Sequence, residues 1–146
     1  MNKLDEALLK LNQQGYRSSA SRNLILSLLT KSCKPLAVLD FQKLFQKNKL
    51  NVNRTTLYRE LDILKKEGLI SEIQLKDSKK WYELANQAHH HHVICTKCDK
   101  IDNVVVCDVK LADKILKLSP DFASIKSHTF VFFGLCKACA QITHIK

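Results

Sequence analysis

Apolar residues recur at helical spacing through the first half of this chain, and then give way to short strand-like runs. Leu4, Leu8 and Leu11 line one face of a short amphipathic helix that ends near Gly15. Leu24, Ile25, Leu28 and Leu29 mark a second, with Ser18, Ser19 or Ser21 available to cap it. Pro35 resets the chain, and Phe41, Leu44 and Phe45 form the apolar face of a third. A fourth begins around Asn53, carries Leu57, Leu61 and Leu64 on one side, and stops at Gly68.

After Gly68 the period changes. Residues 69–75 and 81–84 read as two strands around a polar turn over 76–80. Helices followed by a hairpin predict a winged helix-turn-helix, with the fourth helix as reader and the hairpin as wing. Residues 85–88 form a plausible hinge. Beyond it, residues 101–106 are strand-like, Val109, Ala112, Ile115 and Leu116 mark a helix before Pro120, and a final strand is expected over 125–135. There Val131, Phe132 and Phe133 are apolar on both faces, as in a strand covered twice. An edge that pairs with a second copy fits that pattern. The predicted fold is α+β: an N-terminal winged-helix DNA-binding domain over 1–84, the hinge over 85–88, and a metal-binding α/β dimerisation domain over 89–146.

Composition narrows the function. Hydrophobic residues make up 45% of the 146, enough for a real core, and three glycines and two prolines argue against a turn-rich all-β protein. No run approaches a membrane span, and the first residues, Met1 to Glu6, lack the apolar stretch of a secretion signal, so a cytoplasmic protein with no membrane partner is expected. The net charge is +10; residues 1–84 hold sixteen basic and nine acidic side chains, so the front portion is the better candidate for a polyanion.

Three groups of residues carry chemistry. Cys95/Cys98 and Cys136/Cys139 are two Cys-x-x-Cys pairs, and in a reducing compartment four such thiolates form a complete tetrahedral shell for zinc. The 37 residues between Cys98 and Cys136 exceed zinc-ribbon spacing, so the ion would clamp the two ends of an inserted αβ unit. A redox dithiol is the competing reading. His89, His90, His91 and His92 stand just before the first pair. In an extended segment His90 and His92 share one face, and His89 and His91 the other, so one strand can feed two metal sites. An exposed polar loop is the plain alternative. On the fourth helix Leu57 and Leu61 face inward, leaving Thr55, Thr56, Tyr58 and Arg59 to project toward phosphates or base edges; without the wing this would read as an ordinary solvated face.

Gly15-Tyr16-Arg17, Arg22, the run Thr56 to Leu61, Glu67-Gly68-Leu69-Ile70, Tyr82-Glu83-Leu84, the run His89 to Cys95, and Gly134 to Cys139 fall in an order that resembles the ferric uptake regulator family of bacterial metalloregulators. The match runs from about residue 11 to 140. The resemblance implies a metal-responsive, sequence-specific DNA-binding repressor that acts as a homodimer on double-stranded operator DNA, and not an enzyme. It implies structural zinc at the four cysteines. It implies a regulatory site at Glu83, His90 and His92, holding iron, zinc or manganese as a divalent corepressor, and an additional site at His89, His91 and His128. Arg17 and Arg22 match positions that meet phosphate.

The chain departs from the family pattern in three places. A regulatory histidine aligns with Pro35, which has no donor, and Cys33 is the nearest substitute. A carboxylate after the first Cys-x-x-Cys aligns near Asn103, beside Asp102, and another aligns near Lys110 or Leu111, with Asp108 and Asp113 close by. A peroxide-sensing regulator of the same family is the nearest alternative function, and a zinc or thiol redox protein a more distant one.

Overall fold

The computed structural model describes residues 2–74, 79–85, 87–108 and 110–143. The chain divides into two compact units, Met1–Gln87 and Ala88–Lys146.

In the first unit the helices form where their caps and apolar stripes direct. Helix α1 (Lys3–Gln13) starts at Asn2, whose side chain accepts the Asp5 amide. Helix α2 (Ala20–Lys31) starts at Ser19, which resolves the choice among three serines. The two-residue strand β1 (Leu36–Ala37) leads into α3 (Val38–Lys47), where the Asp40 carboxylate accepts the Ala37 amide. Helix α4 (Arg54–Lys66) is capped by Asn53, which accepts the Thr56 amide at 2.7 Å. It ends at Gly68, whose φ of 66° lets the Leu69 amide turn back to the Leu64 carbonyl. Ile25, Leu26, Leu29, Phe41, Phe45, Leu57, Leu61 and Leu64, each at most 2% exposed, make the core beneath these helices.

Strands β2 (Ile70–Gln74) and β3 (Lys80–Leu84) pair antiparallel, Ile70 opposite Leu84, and the sheet order is β1-β3-β2. Tyr82 on β3 is 1% exposed and fastens the hairpin to the core, packing at a tilt on Phe41. Four helices followed by this hairpin make the winged arrangement read from the sequence. Most of the polar turn, residues 76–78, lies outside the described residues, as does Leu75.

The second unit is built around β4 (His91–Cys95). Strand β5 (Ile101–Val104) pairs with it antiparallel and β6 (Val131–Gly134) parallel, in the order β5-β4-β6. Helix α5 (Lys110–Leu118) lies on the crossover, and the short α6 (Lys137–Thr143) follows β6. The expected final strand over 125–135 is shorter than its pattern suggested: residues 125–130 run alongside without a ladder. Phe130 holds that stretch to β4 through its backbone, accepting from the His92 amide and donating to the His91 ring. Val109, expected in the helix, lies outside the described residues.

Candidate functional site

The parallel register of β4 and β6 sets Cys95 opposite Gly134, so the two Cys-x-x-Cys pairs leave neighbouring strands at the same end. Cys95 closes β4, Cys98 sits in the following turn, Cys136 comes just after β6, and Cys139 rides on α6. Asp99, at φ 57°, closes that turn by returning its amide to the Cys95 carbonyl. All four sulfurs lie within 4.8 Å of one another, and the Cys98 and Cys136 sulfurs are 3.7 Å apart. A tetrahedron with zinc–sulfur bonds of about 2.3 Å has edges of about 3.8 Å. The donor set and its spacing therefore fit zinc. Backbone amides of Cys136, Cys98 and Lys97 aimed at Cys95 draw its thiol down to about 6. The hydrogen bond with Cys136, helped by burial, pushes Cys139 up to about 12. A divalent ion would draw the remaining protons off the cluster.

The histidine run divides as the period-two reading expects. The His90 and His92 rings lie 4.9 Å apart edge to face, and the His89 and His91 rings 4.7 Å apart. His90 donates from Nδ1 to the Ala88 carbonyl at 2.8 Å, and His92 donates from Nδ1 to the Asn103 side-chain oxygen at 3.0 Å. Each ring is thereby held in orientation through its Nδ1, the way an outer-shell partner fixes a histidine ligand. Asn103 stands opposite His92 in the β4–β5 register, so the position where a carboxylate was expected holds an amide that orients the His92 ring. Glu83 lies on β3 in the first unit, opposite Ser71. Pro35 is buried in the same unit, and Cys33 is exposed there.

On the other face His89, His91 and His128 come together, and with them comes Cys107, a residue the sequence reading left without a role. The His89 and His128 Nε2 atoms are 3.1 Å apart, and the Cys107 sulfur is 3.1 Å from the same His128 nitrogen. His91 is 3% exposed, and its Nε2 has no hydrogen-bond partner among the described residues. Burial first, and then the neighbouring histidines, hold His91 below the usual imidazole range, so the ring is neutral near pH 7. Its Nδ1 accepts the Phe130 amide at 3.2 Å. Metal binding through Nε2 would move the ring proton to Nδ1 and give up that one bond, worth about 1 kcal/mol.

On the first unit α4 buries Leu57, Glu60, Leu61 and Leu64 and exposes Thr55 and Arg59, with Thr56 and Tyr58 half-buried. Tyr16, Thr55, Tyr58, Arg59, Asp62, Ile63 and Lys66 line a shallow groove of about 460 Å³ along that face. Arg54, absent from the sequence reading, stands at the N-terminus of the helix. It donates to the Tyr58 hydroxyl at 3.3 Å, and its guanidinium carbon is 5.6 Å from the centre of the Tyr58 ring. The first turn of a reading helix is where base contacts concentrate, and that position could have flagged Arg54.

Arg17 is exposed, as a phosphate contact requires. Arg22 is not. It is 7% exposed, its Nε donates to Glu60 Oε2 at 2.7 Å, and a second nitrogen donates to the Arg17 carbonyl. The phosphate role expected for Arg22 does not match this setting: its guanidinium is engaged inside the unit, joining α2 to α4.

Comparison with known proteins follows from this geometry. The description "Ferric uptake regulator family" matches residues 13–133. The ferric uptake regulation protein of Helicobacter pylori strain 26695 is 26% identical over 139 residues, covering 94% of this chain and 91% of that protein. The peroxide-responsive repressor PerR of Staphylococcus aureus strain USA300 is 25% identical over 138 residues, covering 94% and 92%. The solved structure of the Helicobacter pylori regulator, with three functional metal-binding sites, superposes with a TM-score of 0.75 at 29% identity, over 94% of this chain and 93% of that one.

Proposed function

Because the chain belongs to the ferric uptake regulator family of metal-responsive transcriptional regulators, we propose that it is a homodimeric repressor that binds operator DNA when a divalent metal occupies Glu83, His90 and His92. The observation that carries this reading is the pairing of His90 and His92 on one face of the histidine run, their rings 4.9 Å apart and each Nδ1 donating to a carbonyl oxygen. The bound ion would supply attraction between donors from the two units, limiting the orientations they adopt. Glu83 adds an oxygen donor, a set that suits iron or manganese as well as zinc. Cys95, Cys98, Cys136 and Cys139 would hold structural zinc, and His89, His91 and His128 the additional ion.

DNA is met by Thr55, Thr56, Tyr58 and Arg59 on α4, with Arg54 added at its start and Arg17 on the phosphates. A second copy supplies the partner surface. Leu118, Phe122, Phe132 and Phe133 are each more than half exposed, α5 buries no side chain within its own unit, and β6 is an edge strand. Among the described residues no helix is long and apolar enough to cross a membrane, in keeping with a cytoplasmic regulator.

The test is operator titration with and without each metal. Replacing His90 and His92 together with Ala abolishes the metal dependence and leaves the cysteine zinc in place; a coupling of about 1–3 kcal/mol would change affinity roughly 5- to 150-fold. Metal-dependent binding that survives the double substitution refutes the assignment. The likeness to a peroxide-responsive repressor supports a second reading, in which peroxide treatment of the metal-loaded protein releases DNA.

A further inference from the structure

The cluster on the His89 face is larger than the resemblance implies, and its extra member changes its chemistry. Cys107 lies three residues past the end of β5, on the connection toward α5. Its sulfur meets His128 Nε2 at 3.1 Å, and that nitrogen also faces His89 Nε2 at 3.1 Å. The donor atoms of all four residues lie within 4.8 Å of one another. His91 adds a buried Nε2 with no hydrogen-bond partner among the described residues, a polar atom that a bound ion would satisfy. Asp108 and Asp113, the carboxylates near the position where the family pattern carries one, are not in the cluster.

We propose that His89, His91, Cys107 and His128 form a closed, four-coordinate site of three imidazoles and one thiolate, selective for zinc-like ions over iron or manganese. Spacing supports this. A tetrahedral ion with bonds of about 2.0–2.1 Å to nitrogen and 2.3 Å to sulfur spaces its ligands by roughly 3.3–3.6 Å, close to the distances above. Selectivity follows from ligand type: a thiolate favours zinc and other soft or borderline ions, whereas iron(II) and manganese(II) sites are rich in oxygen donors. Four protein ligands also leave no open position, so an ion here would exchange slowly and serve structure. Sensing is then left to the His90 and His92 face. This deepens the proposed function and rests on its assignment of the three histidines to a metal.

Cobalt(II) is the probe, because a thiolate ligand gives it a strong near-ultraviolet charge-transfer absorption that imidazole and carboxylate do not. The protein has six cysteines, so a Cys33→Ser background with zinc already in the four-cysteine site leaves Cys107 as the only other thiol. Cobalt binds below zinc in affinity order and will not displace it. One equivalent should produce the charge-transfer band. Cys107→Ser should remove the band and weaken binding by more than the roughly 10- to 100-fold that loss of an outer-shell partner costs. Cys107→Asp should restore binding without the band and raise the relative affinity for manganese. His90→Ala with His92→Ala should leave the band untouched.

Cobalt bound without a charge-transfer band, with affinity unchanged in Cys107→Ser, would overturn the thiolate ligand and leave the three-histidine site standing. Absence of any cobalt binding sensitive to His89→Ala or His128→Ala would overturn the site as a whole, and with it the placement of the additional ion. Retained zinc content and helicity in each variant separate these outcomes from misfolding.

Discussion

Replacing Arg22 or Glu60 singly should destabilise the first unit far more than removing a surface ion pair would. Glu60 accepts from Arg22 Nε at 2.7 Å, from Ser19 Oγ at 3.1 Å and, more weakly, from Ser21 Oγ at 3.5 Å, and the two charged side chains are only 8% and 10% exposed. Arg22→Met leaves that carboxylate buried against two hydroxyls; Glu60→Met leaves a buried guanidinium with one carbonyl. Breaking a buried pair on one side costs about 3–5 kcal/mol, whereas replacing both partners with packed apolar groups is often neutral or better. For a unit of this size, 3 kcal/mol lowers a thermal midpoint by roughly 12–24 °C. The double variant Arg22→Met with Glu60→Met should recover most of the loss. Thermal melts of the four proteins, read as a double-mutant cycle, provide the coupling. Operator titration against salt on the restored double variant then decides what Arg22 does. A positioning residue leaves the salt slope unchanged, while a lost phosphate contact makes it shallower by about 0.9. Single substitutions costing under ~1 kcal/mol would refute the buried-pair reasoning, and a shallower slope would return Arg22 to the DNA surface.

Cys95→Ser or Cys136→Ser should cost the zinc and weaken the dimer together, checked by metal analysis and sedimentation; a stable zinc-free dimer contradicts the structural role. Arg59→Ala should weaken operator binding by about 1–3 kcal/mol at one base if its guanidinium forks onto guanine, with dimer and metal content unchanged; a uniform loss across sequences makes it a phosphate contact instead. The Lys65 ammonium, then Lys80, holds Glu72 on β2 below the usual carboxylate range. A lowered pKa in the folded state contributes stability that is full above the unfolded value, about 4.3, and is lost as pH falls through the folded one. Glu72→Gln should therefore lower stability modestly at neutral pH, with the difference from the parent protein vanishing as pH falls below about 4, checked by thermal melts across pH.

Much of this protein was legible because its signals are local. A stripe such as Leu57, Leu61 and Leu64 is set by the helical period, and Asn53 and Gly68 bound α4 by chemistry within a few residues of each end. The two Cys-x-x-Cys pairs needed only their own spacers, and the separation of His90 and His92 from His89 and His91 followed from the pleat. The two-residue β1 carries too few positions for any period, and α6 has no apolar stripe that marks it as a helix. Residues 125–130 look like strand because Ile125 and Phe130 are apolar, yet they form no ladder with β4 and meet it through two hydrogen bonds at Phe130 and the packing of the His128 and Phe130 rings on His91.

What the tertiary structure decided lies between segments far apart in the chain. Arg22 reads as a surface cation until Glu60, 38 residues on, is found against it in the core. Cys107 reads as a stray thiol until the crossover returns His128, 21 residues on, to its side. A lone charge or thiol has the same local pattern whether it faces water or a partner. Burial and pairing depend on which distant segment folds over it, and no period along the chain encodes that.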